Sequence, residues 1–270
     1  MRTAHSLAAL ACLALIGSVL SADPAVAGSA WDDIRPSAFG ARPIADGRDV
    51  LSFKAPYRAE DQRAVPISLE ATFKDGRKLK SVTFIVDENP APVAAVFRFG
   101  DDRSRVALNL DIRLDRASPI RVVVEAHDGA LYMSEKFVKA SGLGVCAAPP
   151  LGDPQVAART MGQMRLSDLT ARDETTRFRR LAQLDIRHPQ HTGMQMNQIT
   201  MLYLPARFIT AIEVRQGGQT LFDLDGSITL SENPRIAFDY QVNGADVIRV
   251  RATDSSNALW EQEFPIGSGS

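Results

Sequence analysis

From residue 65 onward the chain repeats one pattern: a short run of alternating apolar side chains, then a turn rich in Gly, Asp, Asn or Pro. A period of two puts successive side chains on opposite faces of a strand. Residues 65–73 carry Ile67, Leu69, Ala71 and Phe73 in this alternation, and Lys74-Asp75-Gly76 closes the run. Runs at 79–86, 94–99, 106–114 and 120–126 follow, and Asp128-Gly129 supplies a hairpin turn into 131–138. Six or more strands in about a hundred residues predict a sandwich rather than a parallel sheet with crossover helices.

A second series spans 181–186, 208–215, 220–224, 236–240, 247–252 and 259–264. Gly217-Gly218, Asp225-Gly226, Glu232-Asn233-Pro234 and Asn243-Gly244 punctuate it, whereas 165–180 is too polar to assign. Ahead of the first series, Trp31, Ile34 and Phe39 mark one side of a short helix that Pro43 ends. Residues 140–153 break the strand pattern with Gly, Ala and Pro. They read as a linker, looser before Cys146 and semi-rigid after it. The predicted architecture is all-β, with two β-sandwich domains in tandem at 28–139 and 156–266. A cysteine-bearing linker at 140–155 joins them, and 267–270 forms a flexible tail.

Residues 1–27 read as a secretory signal peptide: Arg2, an apolar stretch over 7–20, then the small-x-small pattern Ala25-Val26-Ala27. The stretch is short for a membrane span of about 20 residues, and Asp23 and Pro24 close it. Cleavage after Ala27 is expected, placing a chain that begins at Gly28 in the periplasm. Cys12 leaves with the signal, so Cys146 becomes the only cysteine of the mature chain. The compartment is oxidising but offers no disulfide framework here, so stability must come from packed cores. With 31 Lys and Arg against 32 Asp and Glu, the net charge is −1. That balance speaks against nucleic acid and against a basic membrane-facing patch.

An unpaired thiol in an exported chain needs a reason. Cys146 lies in Ser141-Gly142-Leu143-Gly144-Val145-Cys146-Ala147-Ala148-Pro149-Pro150, and the reading is a covalent attachment point. Gly142 and Gly144 supply loop flexibility, the small Ala147 and Ala148 leave the sulfur accessible, and Lys136 and Lys139 precede the loop. An unperturbed thiol has a pKa of ~8.5, so only a few per cent is thiolate at neutral pH. The alternative is a buried, inert cysteine.

Other features have blander explanations. His188 and His191 suit a metal poorly, because in a strand i and i+3 face opposite ways and no acidic or Cys ligand lies close in sequence. Met161, Met164, Met194 and Met196 read as adaptable packing at a domain interface. Glu60-Asp61, Asp101-Asp102 and Asp223 with Asp225 lie beside turn formers and read as solvated turns. There is no Gly-x-Ser-x-Gly elbow, P-loop or His-Glu-x-x-His motif, and no catalytic residue, metal or cofactor is assigned.

At this point the motifs resemble a known family. Pro56-Tyr57-Arg58-Ala59-Glu60-Asp61 and Ser141-Gly142-Leu143-Gly144-Val145-Cys146 are similar to SoxY. Ile186-Arg187-His188-Pro189-Gln190-His191-Thr192-Gly193 and Pro205-Ala206-Arg207-Phe208-Ile209 are similar to SoxZ. The whole resembles the quinoprotein dehydrogenase-associated SoxYZ-like carrier proteins, over about residues 31–266. The resemblance implies immunoglobulin-like sandwiches, a periplasmic location, and a cysteine that carries sulfur intermediates between the enzymes of thiosulfate oxidation. It also implies His188-Pro189 as a structural corner or inter-domain contact. In SoxY the cysteine sits in Gly-Gly-Cys-Gly-Gly at a free C-terminus. Here Val145 and Ala147 flank it and the chain continues on both sides.

Three functions follow as expectations. The first is a non-enzymatic carrier, with periplasmic oxidoreductases or cytochromes, and possibly a quinoprotein dehydrogenase system, docking at the Cys146 loop. The second is a binding or assembly module for such a dehydrogenase or cytochrome, with Cys146 incidental. The third is a thiol enzyme in which His127, His188 or His191 approaches Cys146 in space.

Overall fold

The structure is a computed structural model that describes residues 30–100, 102–142, 144–150, 152–170 and 179–266. The expected signal peptide and tail lie outside the described residues, as do Asp101 and Leu143. The N-terminal half contains helix α1 (Ala30–Phe39) and strands β1 (Ile44–Asp46), β2 (Leu51–Lys54), β3 (Val65–Thr72), β4 (Leu79–Val86), β5 (Val93–Arg98), β6 (Arg105–Ile112), β7 (Ser118–Ala126) and β8 (Leu131–Val138). A 3₁₀ turn at Val145–Ala147 and helix α2 (Pro154–Thr160) follow. The C-terminal half contains β9 (Met164–Asp168), β10 (Arg179–Ile186), β11 (Ile209–Gln216), β12 (Gln219–Gly226), β13 (Arg235–Gln241), β14 (Val247–Asp254) and β15 (Leu259–Pro265).

The expected strands form close to their predicted bounds, and the alternation in β3 buries Val65, Ile67, Leu69 and Ala71. In β4 and β7 the apolar residues run almost without interruption, because both faces are covered. Phe84, Val122 and Val124 face the main core, while Ile85 and Val123 face α1 through Phe39, Trp31 and Ile34. The polar stretch 165–180 holds the end of β9 and the start of β10. In β9 only Met164 is fully buried. Among the described residues no helix is long and apolar enough to cross a membrane.

The two halves do not stand apart on a linker. One sheet runs β1-β8-β7-β4-β5-β12-β11-β14-β15 and the other β2-β3-β6-β13-β10-β9, so each sheet draws strands from both halves. The seam is antiparallel in both layers: Leu224 pairs with Phe97 and Asp225 with Val96, while Ile236 pairs with Leu110 and Phe238 with Leu108. Between the layers, aromatic rings cross the seam in sequence. Phe84 and Phe97 lie 5.9 Å apart between centroids, Phe97 and Phe222 5.3 Å, and Phe222 and Phe238 5.0 Å. Edge strands that would otherwise expose unpaired N–H and C=O groups satisfy one another there. Two immunoglobulin-like sandwiches are thus hydrogen-bonded edge to edge around one continuous core.

Candidate functional site

The chain leaves β8 with Lys139 tied to the neighbouring loop, its N–H donating to Tyr57 O and its carbonyl accepting from Ala59 N. Gln62 then holds the next residues. Its Oε1 accepts from Ser141 N and Gly142 N, and its Nε2 donates to Gly142 O and Leu114 O. Gly144 takes φ +77°, a left-handed conformation that suits glycine, and its N–H donates to Asp115 O at 3.0 Å. A Cβ on Gly144 would meet nothing within 4 Å, so the backbone angle rather than space demands glycine. The 3₁₀ turn that follows carries Cys146 inward.

Cys146 is 1% exposed and is the free cysteine of the described residues. Its N–H donates to Asp115 Oδ1 at 2.9 Å. Its carbonyl accepts from Thr192 Oγ1 at 2.5 Å, and Gln195 Nε2 donates to Ala148 O at 3.1 Å. Asp115 is placed by Asn89, whose Oδ1 accepts from Asp115 N, and Arg116 reaches within 3.9 Å of Asp115 Oδ2. Arg113, also buried, donates to Gln190 O at 2.7 Å and to Ile228 O at 3.0 Å. The site is therefore assembled across the seam. Cys146, Asp115 and Arg113 come from the first half, Thr192, Gln195 and Gln190 from the second.

Burial pushes the thiol pKa from its ordinary value near 9 up to about 12. The Asp115 carboxylate adds to the rise by charge and hydrogen bonding, and Arg113 opposes it. At pH 7 the thiol is therefore held in its protonated form. The surroundings of the sulfur differ from those of a free loop in three respects. The thiol is covered and protonated rather than exposed and partly ionised. Gly142 and Gly144 donate their N–H groups to Gln62 Oε1 and Asp115 O. The charges acting on the sulfur are those of Asp115 and Arg113 rather than Lys136 and Lys139. Lys139 Nζ instead lies 4.8 Å from the Tyr57 ring centroid.

His188 forms a buried corner. Its Nδ1 accepts from Gln190 N at 3.1 Å, which leaves the proton of the neutral ring on Nε2, 3.5 Å from Asp254 Oδ2. The ring meets Trp260 edge-on at 5.8 Å between centroids. Gln190 adopts φ +49° and accepts from Ile209 N, so the motif turns the chain and ties it to β11. His191 does not join His188 in a ligand pair; its Nδ1 lies 3.2 Å from Gln195 Oε1. Met161 and Met196 line an apolar groove of about 370 Å³ together with Pro149, Pro150, Ile199 and Leu204. Met164 belongs to the core. Of the acidic pairs, Asp61 bonds Arg63, Asp102 lies 3.4 Å from Lys78, and Asp223 and Asp225 bond Arg215 and Arg98.

Between β10 and β11 a hairpin-like excursion reaches outward from the motif. His191 and Arg207 exchange two backbone bonds at its base, and Leu204 N donates to Gln195 O. Near the tip, Asn197 Oδ1 accepts from Ile199 N and Thr200 N. Ile199 is 93% exposed, and Met201, Leu202 and Tyr203 are exposed beside it. The loop whose base is hydrogen-bonded to the cysteine-bearing segment thus presents an apolar tip to solvent.

The model of the sulfur oxidation protein SoxY matches residues 35–146, ending on Cys146, and that of the sulphur oxidation protein SoxZ matches residues 168–265. The chain belongs to the sulfur-oxidation carrier family, with a SoxY and a SoxZ domain fused in one polypeptide. SoxYZ carriers of this family are non-catalytic and interact with Sox enzymes. A solved structure similar to the chain is that of the sulfur carrier protein SoxY from Chlorobium limicola f thiosulfatophilum. It is 26% identical and covers 41% of this chain and 91% of that one, with a TM-score of 0.35. No curated protein matches the chain.

Asp115, Thr192, Gln195 and Gln62 escaped the sequence reading. Each is an ordinary polar residue in a loop, and none falls in a spacing that signals chemistry. Their one sequence signal is that Thr192 lies within the SoxZ-like motif.

Proposed function

We propose that the protein is a periplasmic carrier in which Cys146 holds a sulfur-containing group covalently and presents it to partner enzymes. The observation that carries this reading is the SoxY match ending on Cys146, joined in one chain to a SoxZ domain. In loading, the Cys146 S–H bond and the S–H bond of an incoming sulfur compound give way to one S–S bond. Two protons go to solvent and two electrons to an oxidising partner, a periplasmic cytochrome or other oxidoreductase. The apolar groove and the exposed Ile199 and Leu202 lie beside the segment that bears the cysteine and supply docking surface for such partners. A setting beside a quinoprotein dehydrogenase is part of the proposal and is supported by the resemblance of the sequence.

The test is the intact mass of the exported protein with and without reductant, followed by peptide mapping. A reductant-labile sulfur adduct on Cys146 is expected. Cys146→Ser should lose the adduct and all sulfur oxidation that depends on this chain. Undiminished oxidation in the variant would refute the carrier role. It would favour the second reading, a non-covalent assembly module, for which the full burial of Cys146 speaks. The same mass reports whether the chain begins at Gly28.

A further inference from the structure

Two unlike elements bring soft donor atoms to one groove. Met161 caps the C-terminal end of α2, and Met196 stands in the excursion between β10 and β11, bridged to Tyr203. Both are half-buried, and both line the groove of about 370 Å³ together with His191. The His191 ring is held in one tautomer. Gln195 fixes its own amide by donating Nε2 to Ala148 O, and its Oε1 accepts from Thr192 N at 3.3 Å. An amide oxygen only accepts, so the 3.2 Å contact between Oε1 and His191 Nδ1 puts the proton of the neutral ring on Nδ1. Nε2 keeps its lone pair and has no hydrogen-bond partner among the described residues. Metal-binding histidines share this arrangement, in which a carbonyl or carboxylate takes the proton of the other ring nitrogen. The charged side chains that line the groove are Arg207 and Glu232. Arg207 donates to Asp254 at 2.7 Å, so its charge is matched, whereas Glu232 makes no ion pair among the described residues.

We propose that His191 Nε2 and the thioethers of Met161 and Met196 form a binding site for a soft monovalent metal ion, Cu(I). The donor set makes the choice. Thioether sulfur is a soft, neutral ligand that favours Cu(I), whereas carboxylate and carbonyl oxygens suit Mg(II), Ca(II) and Mn(II). Zn(II) takes thiolates, imidazoles and carboxylates rather than thioethers. Among the described residues no group of three or more His, Cys, Asp or Glu could hold a harder ion. The ligands sit on anchored backbone: Gly162 N donates to Arg187 O, His191 and Arg207 exchange two bonds, and Leu204 N donates to Gln195 O. Pro149, Pro150 and Leu204 supply apolar walls that restrict water around a bound ion. The site makes no use of the Cys146 thiol, so it goes beyond the carrier reading and stands independently of it.

The experiment is an anaerobic Cu(I) titration of the full mature chain carrying Cys146→Ser, which removes the thiol as a competing ligand, against a chromophoric Cu(I) chelator. The chain is expected to draw one Cu(I) from the chelator. Methyl NMR of the same protein with Ag(I), a diamagnetic ion of similar softness, should shift the Met161 and Met196 signals and leave those of the other methionines in place. Met161→Leu and Met196→Leu keep side-chain volume and apolar character, so the fold should hold. Each should weaken Cu(I) binding at least about tenfold, as should His191→Gln. Met201→Leu, at the exposed tip of the excursion, should bind like the parent chain. Should a variant fold poorly, the methyl shifts of the parent chain still decide. Failure to hold Cu(I) against the chelator, equal affinity in the Met161 and Met196 variants, or Zn(II) bound as tightly as Cu(I) would overturn the site and leave the methionines as apolar surface. The carrier reading fails on a different result, undiminished sulfur oxidation by Cys146→Ser, so the two are separable.

Discussion

At the scale of single residues, the His188–Asp254 pair and Cys146 are buried titratable centres with opposite pH behaviour. Burial drives His188 down to about 4, against the pull of Asp254. Burial pushes the Asp254 carboxyl up, but Arg207 and the N–H groups of Ala258 and Ser256 outweigh it and hold the group below the usual carboxylate range. Both groups bind protons more weakly in the folded chain than in the unfolded one. The His188 contribution is therefore complete above about pH 6.5 and drains away as pH falls toward 4, whereas that of Asp254 is lost only below about pH 3.8. For His188 alone the loss is on the order of 3 kcal/mol across that window. Thermal unfolding followed from pH 7 to 4 should show a falling midpoint. His188→Gln should start lower and fall less steeply; an unchanged slope would show that the histidine is not protonated on unfolding. Cys146 runs the other way. Its thiol is raised in the folded state, so its contribution to stability is present below about pH 9 and is lost as pH climbs toward 12.

At the scale of elements, the 191–207 loop joins two tasks, holding the backbone of the cysteine-bearing segment at its base and offering Ile199 and Leu202 at its tip. Exposed side chains contribute little to folding, so Ile199→Asp with Leu202→Asp should leave the unfolding midpoint within about 0.5 kcal/mol of wild type. The same variant should slow the loading of Cys146 by partner enzymes at least several-fold, measured as adduct formation in a periplasmic extract; normal loading would move docking to another surface. Most strands were legible from alternation alone, because a half-buried strand writes its inner face into every second residue, as in β3. What escaped was short or mostly polar: the four residues of β2, and β9, where Met164 alone is fully buried. The closure over Cys146 escaped for another reason. Gly142, Gly144, Pro149 and Pro150 signal a loop, and a loop's composition does not say which distant donors will fasten it.

At the scale of the whole molecule, the seam makes the two halves one folding body. Neither half's sheets end where its sequence ends, and Phe97 and Phe222 pack together across the junction. Phe97→Ala should cost about 3–5 kcal/mol. It should shift a single unfolding transition seen alike by probes in both halves. A variant that instead unfolds in two steps would mean that the halves are independent. The identity of the seam strands was not readable in the sequence, since β5 and β12 carry the same alternation whether they pair with each other or face water. The placement of the cover has a genetic meaning. The residue that reacts is encoded at the end of the SoxY segment, and two of those that restrain it nearly fifty codons downstream, inside the SoxZ segment. Selection for altered thiol reactivity should therefore gather its substitutions around codons 192 and 195. Exchanging the SoxZ segment between relatives should change the chemistry of a cysteine that the exchange never touches.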